Sequence, residues 1–159
     1  MENTQTAEKQ EIEFDGLQVR ETETLYSQCM LSSKEACGCF LEVLPMLSDH
    51  RLQMLVRCYC ELFEKSTESI LRKNPAQSAE RHDYTFLKNE SQLSAQVRLA
   101  FRSDTPTLAA LLFDACHFLI RNLYAVLHRS QSADGESRRT ACRLIGTAED
   151  FRDELKDFL

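Results

Sequence analysis

The chain has 159 residues, of which 43% are hydrophobic and 28% charged, as in an ordinary globular domain and not in a disordered chain. Its net charge of −6 argues against broad electrostatic capture of nucleic acid or of an anionic membrane. Four glycines and three prolines are few, which favours helices over a sheet built on tight turns. We therefore predict an all-α fold, a single-domain helical bundle of five or six helices, without a nucleic-acid or membrane partner and without a cofactor.

The N-terminal residues 1–15 are polar and acidic, and we predict a disordered tail there, ahead of a bundle domain over residues 16–159. This segment lacks the basic start and apolar stretch of a secretory signal. Seven cysteines in a chain without a recognisable secretory signal indicate reduced thiols, so we predict that the protein is cytoplasmic or alternatively nuclear. Apolar residues occur in and just after the tail at Ile12, Phe14, Leu17 and Val19. They suggest a segment that becomes ordered when it binds a partner.

Two helices are predicted before the first proline. The first of them ends near Leu31. Ser32, followed by Glu35 three residues later, has the capping-box pattern that begins a second helix. Pro45 should kink or end this second helix because proline lacks the backbone N–H that a helix interior needs.

Further helices follow, and one of them is unusually apolar. The range Ser48–Lys73 carries apolar residues at three- and four-residue steps, which predicts a third helix. Residues 74–89 are predicted to form a loop with a short helical turn, and residues 90–102 a further helix. Residues 106–128 are apolar around most of the helix circumference, so we predict a central helix that its neighbours bury. A polar linker near 130–137 then precedes a final amphipathic helix.

Polar residues interrupt the central helix along one line. Asp114, His117 and Arg121 make it a poor candidate for spanning a membrane, and their spacing indicates a solvent-facing stripe. Asp114 and His117 stand three residues apart, the spacing at which a di-iron bundle uses a carboxylate and an imidazole on one helix. The third helix offers further carboxylates at Glu61, Glu64 and Glu68. A metal- or haem-binding bundle is therefore the alternative function, although a cation at Arg121 would repel the metal.

Two Cys-x-Cys pairs, Cys37/Cys39 and Cys58/Cys60, contain enough thiolates for a tetrahedral zinc site. Residues two apart on a helix point about 200° away from each other, so one pair cannot face one metal on a regular helix. Thiols buried in a core are the favoured interpretation. The sequence has no Gly-rich phosphate loop, G-x-S-x-G elbow or H-E-x-x-H motif, so we predict that the chain is not an enzyme.

The last segment combines an apolar seam at alternating steps of three and four with charged residues elsewhere. Such a helix either docks on its own domain or lies in the groove of a partner. We predict an intracellular protein–protein interaction module, acting as a regulator, adaptor or complex subunit. Its partner is another protein or a second copy of the chain in a homodimer. The residues predicted to form the interface are Leu144, Ala148, Phe151, Leu155, Phe158 and Leu159.

Overall fold

The computed structural model describes residues 2–74 and 104–159. This part of the chain contains no strand and forms four long helices: α1 (Glu2–Val43), α2 (His50–Lys73), α3 (Thr105–Arg129) and α4 (Gly135–Leu155). Short 3-10 turns follow α1 at Leu44–Met46 and α4 at Lys156–Phe158. The predicted all-α fold is confirmed.

The predicted count of five or six helices differs from the four that are described. One difference is in α1, which is continuous where a break at Leu31 and a new start at Ser32 were predicted. Ser32 is a buried residue inside α1 and not a cap. No glycine or proline occurs between Gly16 and Gly38, so nothing in this stretch stops the helix from propagating. The helical turn predicted within 74–89 lies almost wholly outside the described residues, and the helix predicted at 90–102 lies entirely outside them.

The N-terminal segment also differs from its prediction. Residues 2–15, for which we predicted a disordered tail, belong to α1. Glutamate and glutamine are good helix formers and make up six of these fourteen residues. The segment continues a helix that the folded domain already nucleates, so it avoids the unfavourable first turn of an isolated peptide.

Aspartates begin the other three long helices. Asp49 caps α2, which was predicted to begin at Ser48, and Asp104 caps α3, which was predicted to begin at residue 106. Asp134 caps α4, which shortens the linker predicted near 130–137. Each carboxylate accepts hydrogen bonds from backbone N–H groups two or three residues later, as helix N-caps do. The predicted limits of α2 and of the central helix are otherwise correct within two residues.

The four helices form a bundle in which α1 packs against the other three and α4 packs against α3 and α2. Helices α2 and α3 run antiparallel to α1, and α4 runs parallel to it. Short connections reverse the chain between α1 and α2 and between α3 and α4, and these helices pack against each other. Lys73, at the end of α2, pairs with Glu136, at the start of α4, at 2.7 Å, which sets the direction of α4. We call the end of the bundle formed by Glu21, Lys73 and the α3–α4 loop (130–134) the basal end. Helix α1 continues past it.

Four aromatic rings from α1, α2 and α4 form the centre of the core at the far end of the bundle. The ring of Phe151 stacks on Tyr59 at 4.5 Å and meets Phe40 edge to face at 5.0 Å. Phe63 lies 6.0 Å from Phe40. The hydroxyl of Tyr59 donates a hydrogen bond to the Glu154 carboxylate at 2.6 Å, so the ring is buried while its polar end is satisfied.

The Ser33 hydroxyl differs from the other buried polar groups of the described core. Ser33 is fully buried, and within the described residues its Oγ is the one buried side-chain oxygen or nitrogen without a hydrogen-bond partner. We expect Ser33→Ala to raise the free energy of unfolding by about 1 kcal/mol, because it removes an unpaired polar group and improves helix propensity. Chemical denaturation measures this change.

Ser137→Ala is the matched control for this substitution. Ser137 is also fully buried, but its Oγ donates to the backbone carbonyl of Asp134 at 3.0 Å. Its loss should reduce stability by about 1 kcal/mol. If Ser33→Ala were as destabilising as the control, the Ser33 hydroxyl would have a partner in solution.

Candidate interaction surfaces

The polar stripe of α3 faces solvent, as the sequence predicted. Asp114, His117, Arg121 and His128 are all exposed. Because these side chains point away from the core, neither His117 nor His128 faces the interior of the bundle, where a haem would lie. The stripe is therefore a solvated helix face.

The three glutamates that were predicted as further metal ligands lie away from Asp114 and His117. Glu61, Glu64 and Glu68 are exposed on α2, a helix that shares no substantial interface with α3. Across residues 2–74 and 104–159, no three His, Cys, Asp or Glu side chains come together in a group that could hold a metal ion. The described residues thus give Asp114 and His117 no third or fourth ligand of the kind that the alternative needs.

The cysteines divide into buried and exposed thiols. Cys58 and Cys142 are exposed, whereas the other five are buried in the core. Within the two Cys-x-Cys motifs, the Sγ of Cys37 donates to the backbone carbonyl of Cys60 at 3.7 Å, while Cys58 points to solvent. The four thiols therefore do not converge on one point, and most behave as small hydrophobic side chains.

Burial also controls the expected reactivity of these thiols. It raises the pKa of Cys29 and that of Cys39 to about 12, and it raises the pKa of Cys116 as well. The thiolate is the reactive form, so buried thiols should react slowly. With a thiol-specific chromogenic reagent at mild alkaline pH, we expect two of the seven cysteines to react fast in the native protein. All seven should react after unfolding in guanidinium, and four or more fast thiols in the native state would contradict this core.

The C-terminal seam, which the sequence predicted as a partner surface, lies in the core of its own chain. Leu144, Ala148, Phe151 and Leu155 are each 0–1% exposed. Phe158 is partly buried, and its ring lies 5.5 Å from the guanidinium carbon of Arg51. Leu159 is 55% exposed. The four buried side chains close the bundle, as in the alternative that the last helix docks on its own domain, whereas Leu159 remains at the surface.

The N-terminal part of α1 is the element that the bundle leaves uncovered. Residues 2–20 continue the helix for about 28 Å beyond the basal end, at 1.5 Å per residue. Phe14 and Val19 are each 57% exposed and Leu17 is 38% exposed. We call residues 2–20 the α1 extension. It presents apolar side chains that no other described element of the chain covers.

The α3–α4 loop fixes the point at which the extension leaves the bundle. The Glu21 carboxylate accepts a hydrogen bond from the Ser132 backbone N–H at 2.6 Å. The Thr22 Oγ1 accepts one from the Asp134 N–H at 2.9 Å. Since these bonds anchor α1 one turn after Leu17, the direction of the extension is set by the folded domain.

Charges of opposite sign lie on the extension and at the basal end. Glu11, Glu13 and Asp15 are exposed on the extension, and none of them forms an ion pair with another described residue. At the basal end, Arg129 and Arg139 are exposed and likewise form no ion pair within the described part of the chain. The guanidinium of Arg139 lies over the first residue of α4. The basal end therefore carries both signs of charge, because the carboxylates of Glu21, Asp134 and Glu136 lie at the same end as these arginines.

Helix α3 is long and apolar enough to cross a membrane if only length and composition are considered, a test that the core helix of a globular protein also passes. Nine of its side chains are buried in the structure. Its polar stripe and the partly exposed Phe118 and Tyr124 lie outside that face. The apolar character of α3 is thus accounted for by packing on α1 and α4.

Comparisons with protein-family models, with curated proteins and with solved structures give no match.

Proposed function

We propose that the chain is a non-enzymatic protein–protein interaction module whose partner-binding element is the α1 extension. The observation that carries this proposal is the exposure of Phe14, Leu17 and Val19 on a helix that projects from the bundle. A regulator, an adaptor and a subunit of a complex all use such an element. The C-terminal seam, which closes the core, is not part of the proposal.

A partner would gain free energy of binding by covering the apolar area that the extension leaves in water. Burial of a large apolar side chain is worth about 1.5–3 kcal/mol relative to full exposure. The part of each side chain that is still exposed represents a fraction of this gain. The bundle already holds α1 as a helix, so a partner does not have to supply the whole cost of ordering it. A partner that covers Phe14 and Leu17, three residues apart on one helix face, would obtain a preorganised site.

We further propose that the protein is located in the cytoplasm or the nucleus. Seven cysteines without a disulfide suit a reducing compartment, since oxidising compartments convert neighbouring thiols to disulfides. The exposed thiols of Cys58 and Cys142 would otherwise be open to oxidation.

The test compares proteins captured by three forms of the full chain. The extension variant is Phe14→Gln/Leu17→Gln/Val19→Gln. The control is Met54→Gln/Leu62→Gln, which replaces exposed apolar residues of α2. Quantitative mass spectrometry should find partners that the wild type and the control retain and that the extension variant loses by about tenfold or more. The three forms should unfold at similar temperatures, because the replaced side chains contribute little to the core. An identical set of captured proteins for all three would contradict the proposal.

A further inference from the structure

We propose that Cys37 and Cys60 form a redox-sensitive dithiol, which hydrogen peroxide converts to a disulfide that joins α1 to α2. This inference is independent of the α1 extension and of its partner. The disulfide uses one member of each Cys-x-Cys motif, whereas the other members, Cys39 and Cys58, take no part in it.

The two thiols meet across the interface between α1 and α2. The Sγ of Cys37 donates a hydrogen bond to the backbone carbonyl oxygen of Cys60 at 3.7 Å, and it is also in hydrogen-bonding contact with the Cys60 thiol. A disulfide forms without large backbone movement only where two cysteine side chains point towards each other, as these two do. The other cysteine of each motif points elsewhere, because residues two apart on a helix differ in direction by about 200°.

Cys60 differs from the other buried thiols in the direction of its pKa shift. The hydrogen bond from Cys37 lowers the pKa of Cys60, whereas burial raises that of core thiols such as Cys29 and Cys116. Burial and the nearby Glu64 carboxylate oppose the hydrogen bond at Cys60 but do not outweigh it. The thiolate is the form that reacts with peroxide, so Cys60 is the buried thiol that we expect to be oxidised first.

The oxidation has two steps. The Cys60 thiolate attacks one oxygen of hydrogen peroxide and the O–O bond breaks, which leaves a sulfenic acid on Cys60 and a hydroxide that takes up the proton lost from the Cys60 thiol. The Cys37 sulfur then attacks the Cys60 sulfur, so that the S–S bond forms while the S–O bond breaks. The hydroxyl group leaves as water with the proton of the Cys37 thiol. In total, one peroxide is reduced to two waters and two thiols are oxidised to one disulfide, which a dithiol reduces again by exchange.

The surroundings of the pair suit such a reversible bond. Cys37 is 8% exposed and Cys60 is 5% exposed, so a small oxidant reaches them more readily than a bulky thiol reagent does. Disulfides in a reducing compartment are usually transient and often sense the redox state. The bond would join positions 23 residues apart, and it would stabilise the oxidised fold by restricting the unfolded chain.

The experiment uses the full chain with Cys58→Ser/Cys142→Ser as the background, because these exposed thiols would otherwise link two chains. The native reduced protein is treated with hydrogen peroxide, the remaining thiols are alkylated in guanidinium, and the digested peptides are identified by mass spectrometry. We expect one linked peptide pair, which joins Cys37 to Cys60 and disappears after reduction with dithiothreitol. The oxidised chain should unfold about 5 °C or more above the reduced chain.

Two further variants in the same background separate the roles of the cysteines. Cys37→Ala removes the second thiol, so the sulfenic acid on Cys60 should accumulate and react with a dimedone probe. The matched control, Cys39→Ala, removes another buried cysteine of the same motif and should keep the link. A background protein without a link between Cys37 and Cys60, links spread over several cysteine pairs, or an oxidised chain that gains no thermal stability would overturn the inference. Peptide mapping of the background protein gives this answer whether or not the alanine variants fold.

Discussion

Phe151→Ala should reduce the free energy of unfolding by about 3–5 kcal/mol, the usual range for removing a buried aromatic ring. Phe151 is fully buried on α4 and contacts the rings of Tyr59 and Phe40 on two other helices. Its removal leaves a cavity at the centre of the aromatic cluster and breaks two ring contacts at once. Domains of this size are stable by about 5–15 kcal/mol in total, so a large part of the stability is lost. Chemical denaturation followed by circular dichroism measures the change.

Phe118→Ala is the control for this substitution. Phe118 lies on α3 and is 38% exposed, so its loss should cost about 1 kcal/mol or less. The comparison separates a ring in the core from a ring at the surface. A Phe151→Ala chain with unchanged stability but weaker association would show that the C-terminal seam serves a partner and not the core.

Leu123→Asp should unfold the protein. Leu123 is fully buried on the inner face of α3. The substitution removes a buried apolar side chain and places a carboxyl group where the described structure offers it no partner. Each of these two effects costs roughly 2–5 kcal/mol of stability. Their combination approaches the total stability of a small domain. Soluble yield and the loss of a cooperative thermal transition measure the outcome.

Ala125→Asp provides the control two residues further along the same helix. Ala125 is exposed, so a carboxylate there remains in water and should change stability by about 0.5 kcal/mol. Equal tolerance of aspartate at both positions would mean that the inner face of α3 is not packed in a core. Equal disruption would mean that α3 is covered on both sides, as in a lipid or in a larger complex.

Helices with strong periodicity and clear end signals could be predicted from the sequence. The limits of α2 follow from its three- and four-residue apolar steps. Those of α3 follow from its apolar circumference and from Pro106 in the first turn. The break predicted at Ser32 was wrong because a capping-box pattern is compatible with a helix interior, and only the surroundings of Ser32 decide between the two. Serine is buried there in an uninterrupted helix.

Most of the predicted interface residues lie in the core of the chain, and the sequence could not show this for a different physical reason. An apolar seam gains the same free energy whether its own chain or a partner covers it, so the sequence of α4 alone cannot distinguish the two. The three-dimensional contacts of Leu144 and Phe151 assign the seam to the core. The extension was visible in the sequence only as four scattered apolar residues. Its helical state could not be read from them, because it depends on the folded bundle that α1 continues.

Hydrogen–deuterium exchange of the full chain distinguishes a bundle that α4 closes, with the α1 extension as the binding element, from a bundle in which α4 binds the partner. We expect amides of residues 141–155 to exchange slowly and at the same rate at low and high protein concentration, since their protection comes from the chain itself. Amides of residues 9–20 should exchange fast in the isolated chain and become protected when a captured partner is bound. Protection of residues 141–155 that changes with protein concentration or on binding of the partner, with residues 9–20 unchanged, would contradict this assignment.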